Sequence, residues 1–354
     1  MLFSEFQPVT SAAWREKIVR DLKGAKSLDD LTWQTPEGLA MQVFYHSDEN
    51  SAVSPLLPNA ALHSDVENKW LIHEIIRVSD ATTANETALQ ALQGGAESLQ
   101  FVLDNAVTAT DLQTLLDSVF IEMIHIGFSG QWIWRQPTAF CALFLDLLKS
   151  RNIAPENVNI TLAADPSGSE TLNNLLAQTA DYQGFKCIDL YCTGNATQQL
   201  TQILKAAKML LERHSLLKNS IQISMPVGSS FMIEIAKIRA MRLLWHMHID
   251  SENAPLLHAY TAPNTLTPDA DYNKIKATTQ AISAILGGAD KISVTPSDTM
   301  SDPNSSVFAR RMARNVQHVL RLESHLDKVI DPAAGSYYIE EMTRQLVFSV
   351  GSFQ

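Results

Sequence analysis

The chain has 354 residues, 45% of them hydrophobic and 18% charged, which suits one large α/β domain or two smaller ones. A net charge of −11 argues against nucleic acid or an anionic membrane as the main partner, and no run approaches the roughly 18 apolar residues of a membrane span. The N-terminus, MLFSEFQPVTSAAWREK, is acidic and broken by Pro8, unlike a signal peptide, and Cys141, Cys187 and Cys192 form no CxxC pair. A reduced, cytoplasmic chain is expected.

Residues 1–68 read as an arm and linker. Ser11 is placed to cap a helix from Ala12 to about Leu22, ended at Lys23-Gly24. A strand at Leu31–Trp33, a turn at Thr35–Gly38 and an extended stretch from Met41 to Tyr45 follow. Large apolar residues at such wide spacing must lie on the chain's own body or on a partner. His46 to Asn68 is rich in Pro, Asn and Ser and reads as a surface loop.

From Lys69 the rhythm is regular. Strands are expected at Trp70–Val78, Leu99–Leu103, Val119–Ile126, Val158–Ala163, Lys186–Tyr191, Ile221–Met225, Pro255–Tyr260 and Lys291–Val294. Helices are expected at Thr83–Gln93, Asp111–Leu116, Pro137–Ser150, Ser169–Ala180, Ala196–Arg213, Phe231–Trp245, Ala270–Leu286 and Asn304–Glu323. In the sixth unit, Pro226 and Gly228 are expected to break the strand, and Ser229 or Ser230 to cap the helix. Phe231, Ile235, Ile238, Met241 and Trp245 form that helix's apolar stripe, with Glu234, Lys237 and Arg242 off it. Eight strands, each followed by a helix, point to a (β/α)8 TIM barrel over residues 69–354 with an N-terminal helical and extended arm. The alternative, an open doubly wound sheet, needs a glycine-rich turn after an early strand, and Gly94-Gly95-Ala96 follows a helix instead.

The stretch FMIEIAKIRAMRLLW resembles the methylmalonyl-CoA mutase family, in which E-x-A-K-x-R-A-x-R-x-L-W follows the sixth strand; Glu234, Ala236, Lys237, Arg239, Ala240, Arg242, Leu244 and Trp245 fall on it. Asp331, Pro332, Gly335, Ser336, Tyr337, Tyr338 and Glu340 are similar to the family's D-P-x-x-G-S-Y-Y-x-E segment. Weaker echoes are Trp33, Thr35, Glu37 and Gly38, and Asn85, Ala88, Leu92, Gly95 and Ala96. The resemblance runs nearly end to end. It implies a barrel threaded by an acyl-CoA, with adenosylcobalamin supplying radical chemistry that interconverts succinyl-CoA and methylmalonyl-CoA, presented by a separate C-terminal domain carrying D-x-H-x-x-G.

Departures from the family pattern set this chain apart. None of its ten histidines has an aspartate two residues earlier, and after Glu341 little chain remains for a cobalamin domain. The catalytic members' M-Y-T-x-R-P-W-T-x-R-Q-Y segment has no counterpart in PLLPNAALHSDVENKWLIHEIIRVSD. After the fourth strand, Ala163-Ala164-Asp165-Pro166-Ser167 replaces a glutamine-asparagine-aspartate run, and the arginine for the substrate carboxylate is missing until Arg213. After the fifth, Asp189–Gly194 lacks the histidine that would reach a thioester carbonyl. Loss of one such preorganised donor typically costs about 100-fold in rate. The pattern therefore resembles the family's small subunit, a non-catalytic barrel pairing as a heterodimer with a large subunit that holds adenosylcobalamin. In isolation a homodimer is possible. The alternative is an active acyl-CoA mutase barrel that borrows a cobalamin domain from a separate chain; a stand-alone metabolite-binding barrel is a third reading. No catalytic, cofactor or metal residue is assigned to this chain.

Other residues have modest readings. His246 and His248 sit at a helix end, pointing apart, and read as solvated. Asp80 and Asp165 lie just past strand ends, where loop and cap roles outweigh catalysis. Trp132-Ile133-Trp134-Arg135 is expected near the barrel mouth, as a plug or a partner surface. Asp331–Tyr338 reads as a turn and short strand, and VFSVGSFQ does not read as a helix.

Overall fold

The computed structural model describes residues 9–48, 67–165, 167–249 and 254–351. Most of the loop expected between His46 and Asn68, and Gln354, lie outside them. In the arm, helix α1 (Ser11–Leu22) is capped by Thr10, whose Oγ1 accepts from the Ala13 N–H at 3.2 Å; Ser11 sits inside the helix. A two-residue antiparallel pair follows, β1 (Trp33–Gln34) and β2 (Ala40–Met41). Leu39 and Met41 are buried, whereas Trp14, Val19, Trp33 and Val43 are exposed.

The barrel runs β3 (Leu71–Arg77), α2 (Ala81–Gln93), β4 (Ser98–Val102), α3 (Ala109–Leu115), β5 (His125–Ser129), α4 (Gln131–Arg135), α5 (Pro137–Ser150), β6 (Asn159–Leu162) and α6 (Ser169–Gln178). It continues with β7 (Phe185–Lys186), β8 (Ile188–Tyr191), α7 (Ala196–Arg213), β9 (Ile221–Val227), α8 (Phe231–His248), β10 (Leu256–Thr261), α9 (Ala270–Gly287), β11 (Lys291–Ser293) and α10 (Val307–Leu322). The strand order is β7-β6-β5-β4-β3-β11-β10-β9-β8, parallel throughout. β7 and β8 are the two halves of the fifth strand. It bulges at Cys187, where the N–H groups of Cys187 and Ile188 both donate to Ser220 O at 2.9 and 3.1 Å. Its first half pairs with β6 and its second with β9, so the wall returns on itself and the (β/α)8 barrel is confirmed. Among the described residues no helix is long and apolar enough to cross a membrane.

Several boundaries differ from the sequence reading. In the arm, Asp29–Leu31 form a 3-10 turn, so the strand expected at Leu31–Trp33 is confined to Trp33–Gln34. The third strand starts at His125, because Ile121–Met123 form a 3-10 turn with Ile121 buried. β9 runs through Pro226 to Val227: its pairing with β8 ends at Ser224, so the missing proline N–H faces no strand on that side. Ser230 stands at the start of α8, but its side chain makes no capping bond. After Asp331 there is no strand; Tyr337–Gly351 form a final helix, α11, that includes Val347–Gly351.

α11 changes the meaning of α8. Packed among α7, α9 and α11, α8 is buried on all sides from Ile233 to Trp245, including Glu234, Lys237, Arg239 and Arg242. The charges off the apolar stripe therefore do not face water. Lys237 pairs with Glu234 and donates to Pro226 O at 2.5 Å. Arg239 donates to Asp331 at 2.9 Å and Glu340 at 2.8 Å, and Arg242 donates to Gly288 O at 2.6 Å and Asp290 at 2.8 Å. Buried charges survive only when paired and hydrogen-bonded in this way.

The barrel axis and its mouth as candidate functional site

Parallel strands covered on both faces ordinarily read as continuous apolar runs, and barrel interiors are ordinarily filled by Val, Ile and Leu. Here the strands alternate. Leu99, Phe101, Ile126, Phe128, Ile160, Leu162, Ile188, Leu190, Ile221 and Ile223 are buried toward the helices; Phe128 packs on Phe140 and Phe144 of α5 at 4.6 and 5.2 Å between ring centroids. The inward positions carry His73, Ser98, Gln100, His125, Thr161, Asp189, Gln222, Ser224, His258, Lys291 and Ser293, all buried.

These side chains bond to one another. Ser98 Oγ lies 2.7 Å from His73 Nδ1, and His73 Nε2 lies 3.3 Å from Gln100 Oε1, an acceptor, so the proton sits on Nε2. Gln100 Nε2 donates to Ser129 Oγ at 2.7 Å. His125 Nε2 meets Thr161 Oγ1 at 2.9 Å, and Thr161 donates onward to Gln222 Oε1 at 3.0 Å. Gln222 Nε2 and Ser224 Oγ both donate to Asp189 Oδ2, at 2.8 and 2.9 Å. Ser224 then accepts from His258 Nδ1 at 2.9 Å, and His258 Nε2 accepts from Ser293 Oγ at 2.8 Å. The rings of His73 and His258 meet edge to face at 4.8 Å, closing the network across the axis.

Burial, with Lys291 nearby, holds His73 and His125 well below the usual imidazole range; burial, with His73 and Lys291 nearby, does the same for His258. All three are neutral. Burial raises Asp189 to about 6 and lowers Lys291 to about 8. Asp189 Oδ1 and Lys291 Nζ have no hydrogen-bond partner among the described residues. Both nitrogens of His73 and of His258 are committed to neighbours, so neither ring is free to take a proton from a bound molecule. The axis is a polar plug.

Above the plug the mouth is open. Ile75 and Arg77 point to the same side of β3 as His73, and Ile75 is 41% exposed. A bowl of about 590 Å³ is lined by Arg77, Asp104, Gln131, Trp134, Arg135 and Tyr191. Of the two tryptophans expected there, Trp134 lines the bowl, while Trp132 packs edge-on against Phe140 at 5.6 Å as core. Asp80 caps α2, accepting from the Thr83 N–H at 2.8 Å, and Asp165 accepts from the Ser167 N–H at 2.9 Å. His246 is half-buried and His248 exposed at the end of α8. The cysteines are buried free thiols, raised to about 12, 11 and 12 for Cys141, Cys187 and Cys192 by burial.

The axis histidines His73, His125 and His258 fall on no motif and escape a search for a preceding aspartate. The available signal was the alternation itself: S-L-Q-F, N-I-T-L and I-Q-I-S place a polar residue at every second position. A cobalt-ligating histidine at the barrel mouth would have to come from the strand-end loops. The loops after the strands carry no histidine, His214 bonds Asn173 at 3.1 Å, and His318 bonds Gly94 O at 3.0 Å. Among the described residues no group of three His, Cys, Asp or Glu is placed to hold a metal.

The methylmalonyl-CoA mutase family model matches residues 215–352. The methylmalonyl-CoA mutase small subunit of Porphyromonas gingivalis is 30% identical over 386 residues, covering 98% of this chain and 62% of that protein. Along nearly its whole length the chain is similar to members of the methylmalonyl-CoA mutase family. The small subunit from Streptomyces virginiae is 26% identical, covering 99% of this chain and 64% of its own length. A methylmalonyl-CoA mutase from Cereibacter sphaeroides is 25% identical, covering 94% and 56%. The chain thus spans a little under two thirds of the relatives it matches.

The two methylmalonyl-CoA mutase motifs noted in the sequence form one structure. Arg239 of the first bonds Asp331 and Glu340 of the second. Gly335, at φ +79, donates its N–H to the same Glu340 at 3.0 Å, and Tyr338 packs edge-on against Tyr45 of the arm at 5.6 Å. The family signature clamps α11 and the arm to the barrel.

Proposed function

We propose that this chain is a non-catalytic, small-subunit barrel of methylmalonyl-CoA mutase, supporting a large subunit that interconverts succinyl-CoA and methylmalonyl-CoA with adenosylcobalamin. The observation that carries this reading is the plugged axis. An acyl-CoA threaded down the barrel would have to displace the His73–Ser98, Gln222–Asp189 and Ser224–His258 contacts, leaving buried polar groups unpaired at about 1–3 kcal/mol each. The missing carboxylate and thioester anchors in the strand-end loops support the same reading. Catalytic groups on loops are lost without harm to the core, which the strands and helices hold. The names of the relatives, small subunits of a mutase, support a larger partner. The exposed Trp14, Trp33 and Val43 give the arm an apolar face toward it.

The test is co-expression with a large subunit. Co-purification as a heterodimer, with no interconversion by this chain alone in adenosylcobalamin, is expected. Turnover by this chain alone would overturn the proposal.

A further inference from the structure

β11 is three residues long and pairs with β3 only at Leu71 and Ile72. Above that point β3, from His73 to Arg77, has a strand neighbour on the β4 side alone. The barrel wall is therefore slit between its first and last strands. The slit opens from the mouth into the wedge between α2 and α10. These helices touch at their lower ends, where His318 meets Gly94 O. A cleft of about 470 Å³ occupies this space, reaching from His73 and Tyr260 on the axis side to Thr87, Gln90 and Gln317 between the helices.

Three features of the cleft bear on its chemistry. Its body is apolar, with Ile75, Val294 and Ala313 among its walls. It holds three guanidinium groups, Arg77, Arg310 and Arg314, against one carboxylate, Glu74, which Arg310 engages at 2.8 Å and Arg314 more closely. Arg77 is largely exposed, and its ion pair with Asp104 is long at 3.9 Å. Gln317, finally, is 1% exposed, lines the cleft, and its Oε1 accepts no hydrogen bond from the described residues. A buried acceptor without a donor ordinarily costs about 1–3 kcal/mol, so such groups ordinarily have partners.

We infer that this slit is a small-molecule site for an organic acid that also carries an O–H or N–H donor, its anion between Arg77 and Arg310 and its donor on Gln317. The spacing sets the length. Arg310 and Gln317 lie two turns apart on α10, about 10 Å at 1.5 Å per residue. A flexible acid with a donor roughly six carbons from its carboxylate spans that distance with an apolar middle against Ile75 and Ala313. Nothing in this site requires the axis to open, so it stands or falls apart from the partner-subunit reading.

The experiment uses the whole chain and three probes followed by thermal unfolding: 6-hydroxyhexanoate, hexanoate and 1,6-hexanediol. Saturable stabilisation by 6-hydroxyhexanoate is expected, at an affinity about tenfold above that of either probe lacking one end, one hydrogen bond to a buried group being worth roughly that factor. Thr87→Phe, which fills the wedge from an α2 position outside the ionic cluster, should abolish the response. Gln317→Leu should reduce the response to that of hexanoate while leaving the unliganded chain as stable as before or more so. A purely structural glutamine would instead lower the unliganded Tm and leave the response intact, which would overturn the assignment. So would the lack of a saturable shift with 6-hydroxyhexanoate, or a shift that Thr87→Phe leaves unchanged.

Discussion

Lowering the pH below neutral is the sharpest perturbation of the axis. His73, His125 and His258 are each held well below the ordinary imidazole value of 6.5. As pH falls through that value, the unfolded chain takes up three protons that the folded chain refuses. Asp189 acts in the opposite sense. Its folded value of about 6 lies above the ordinary 3.8, so between these limits the folded chain holds a proton that the unfolded one has lost. Near pH 5 the unfolded state therefore binds a net two protons more, and stability falls by about 3 kcal/mol per pH unit. That is a large share of the roughly 5–15 kcal/mol of a typical domain. Lys291 gives a second limb: folded at about 8 against an ordinary 10.5, it makes stability climb by up to about 3 kcal/mol between those values. Urea unfolding followed by far-ultraviolet circular dichroism between pH ~7.5 and ~5 reads the acid limb directly. His258→Gln, which keeps an amide for Ser224 and Ser293, should halve the slope to about 1.4 kcal/mol per pH unit. A stability flat across this window, or a slope unchanged in His258→Gln, would refute the reasoning.

Arg239→Met leaves Asp331 and Glu340 buried without their cation, and breaking a buried pair this way costs about 3–5 kcal/mol. A change in urea-derived stability below about 1 kcal/mol would show that the α8–α11 clamp is not under this control. Trp33→Ala on the exposed arm should leave the isolated chain within about 0.5 kcal/mol of its parent yet weaken retention of a large subunit in a pull-down. A large drop in the chain's own stability with retention unchanged would place Trp33 among the contacts the arm makes with its own barrel, not with a partner.

The barrel was legible because its evidence is local: apolar runs, caps such as Asp80 and Asn195, and glycine stops such as Gly288 recur at βα spacing. Errors arose where distant chain decides. Val119–Ile121 has strand chemistry, but Ile121 is buried in a turn. Glu234, Lys237 and Arg242 look like a solvated face until the helices packed around α8, α11 among them, bury it on all sides. The same holds for the axis. That Gln222 would meet both Thr161 and Asp189 depends on barrel closure, which no single strand records. The motif resemblance located the α8–α11 clamp without showing that one arginine joins its halves. The slit at β11 is a matter of strand length and register, which sequence patterns fix least well.

Whether the polar plug bars an acyl-CoA from the axis is tested most directly by stabilisation of the isolated chain by succinyl-CoA. A ligand at 100 times its dissociation constant raises stability by about 2.7 kcal/mol, well within reach of a thermal melt. No saturable shift is expected once the slit is closed by Thr87→Phe. A saturable shift that survives in that variant would mean the axis admits the thioester, and the account would be wrong.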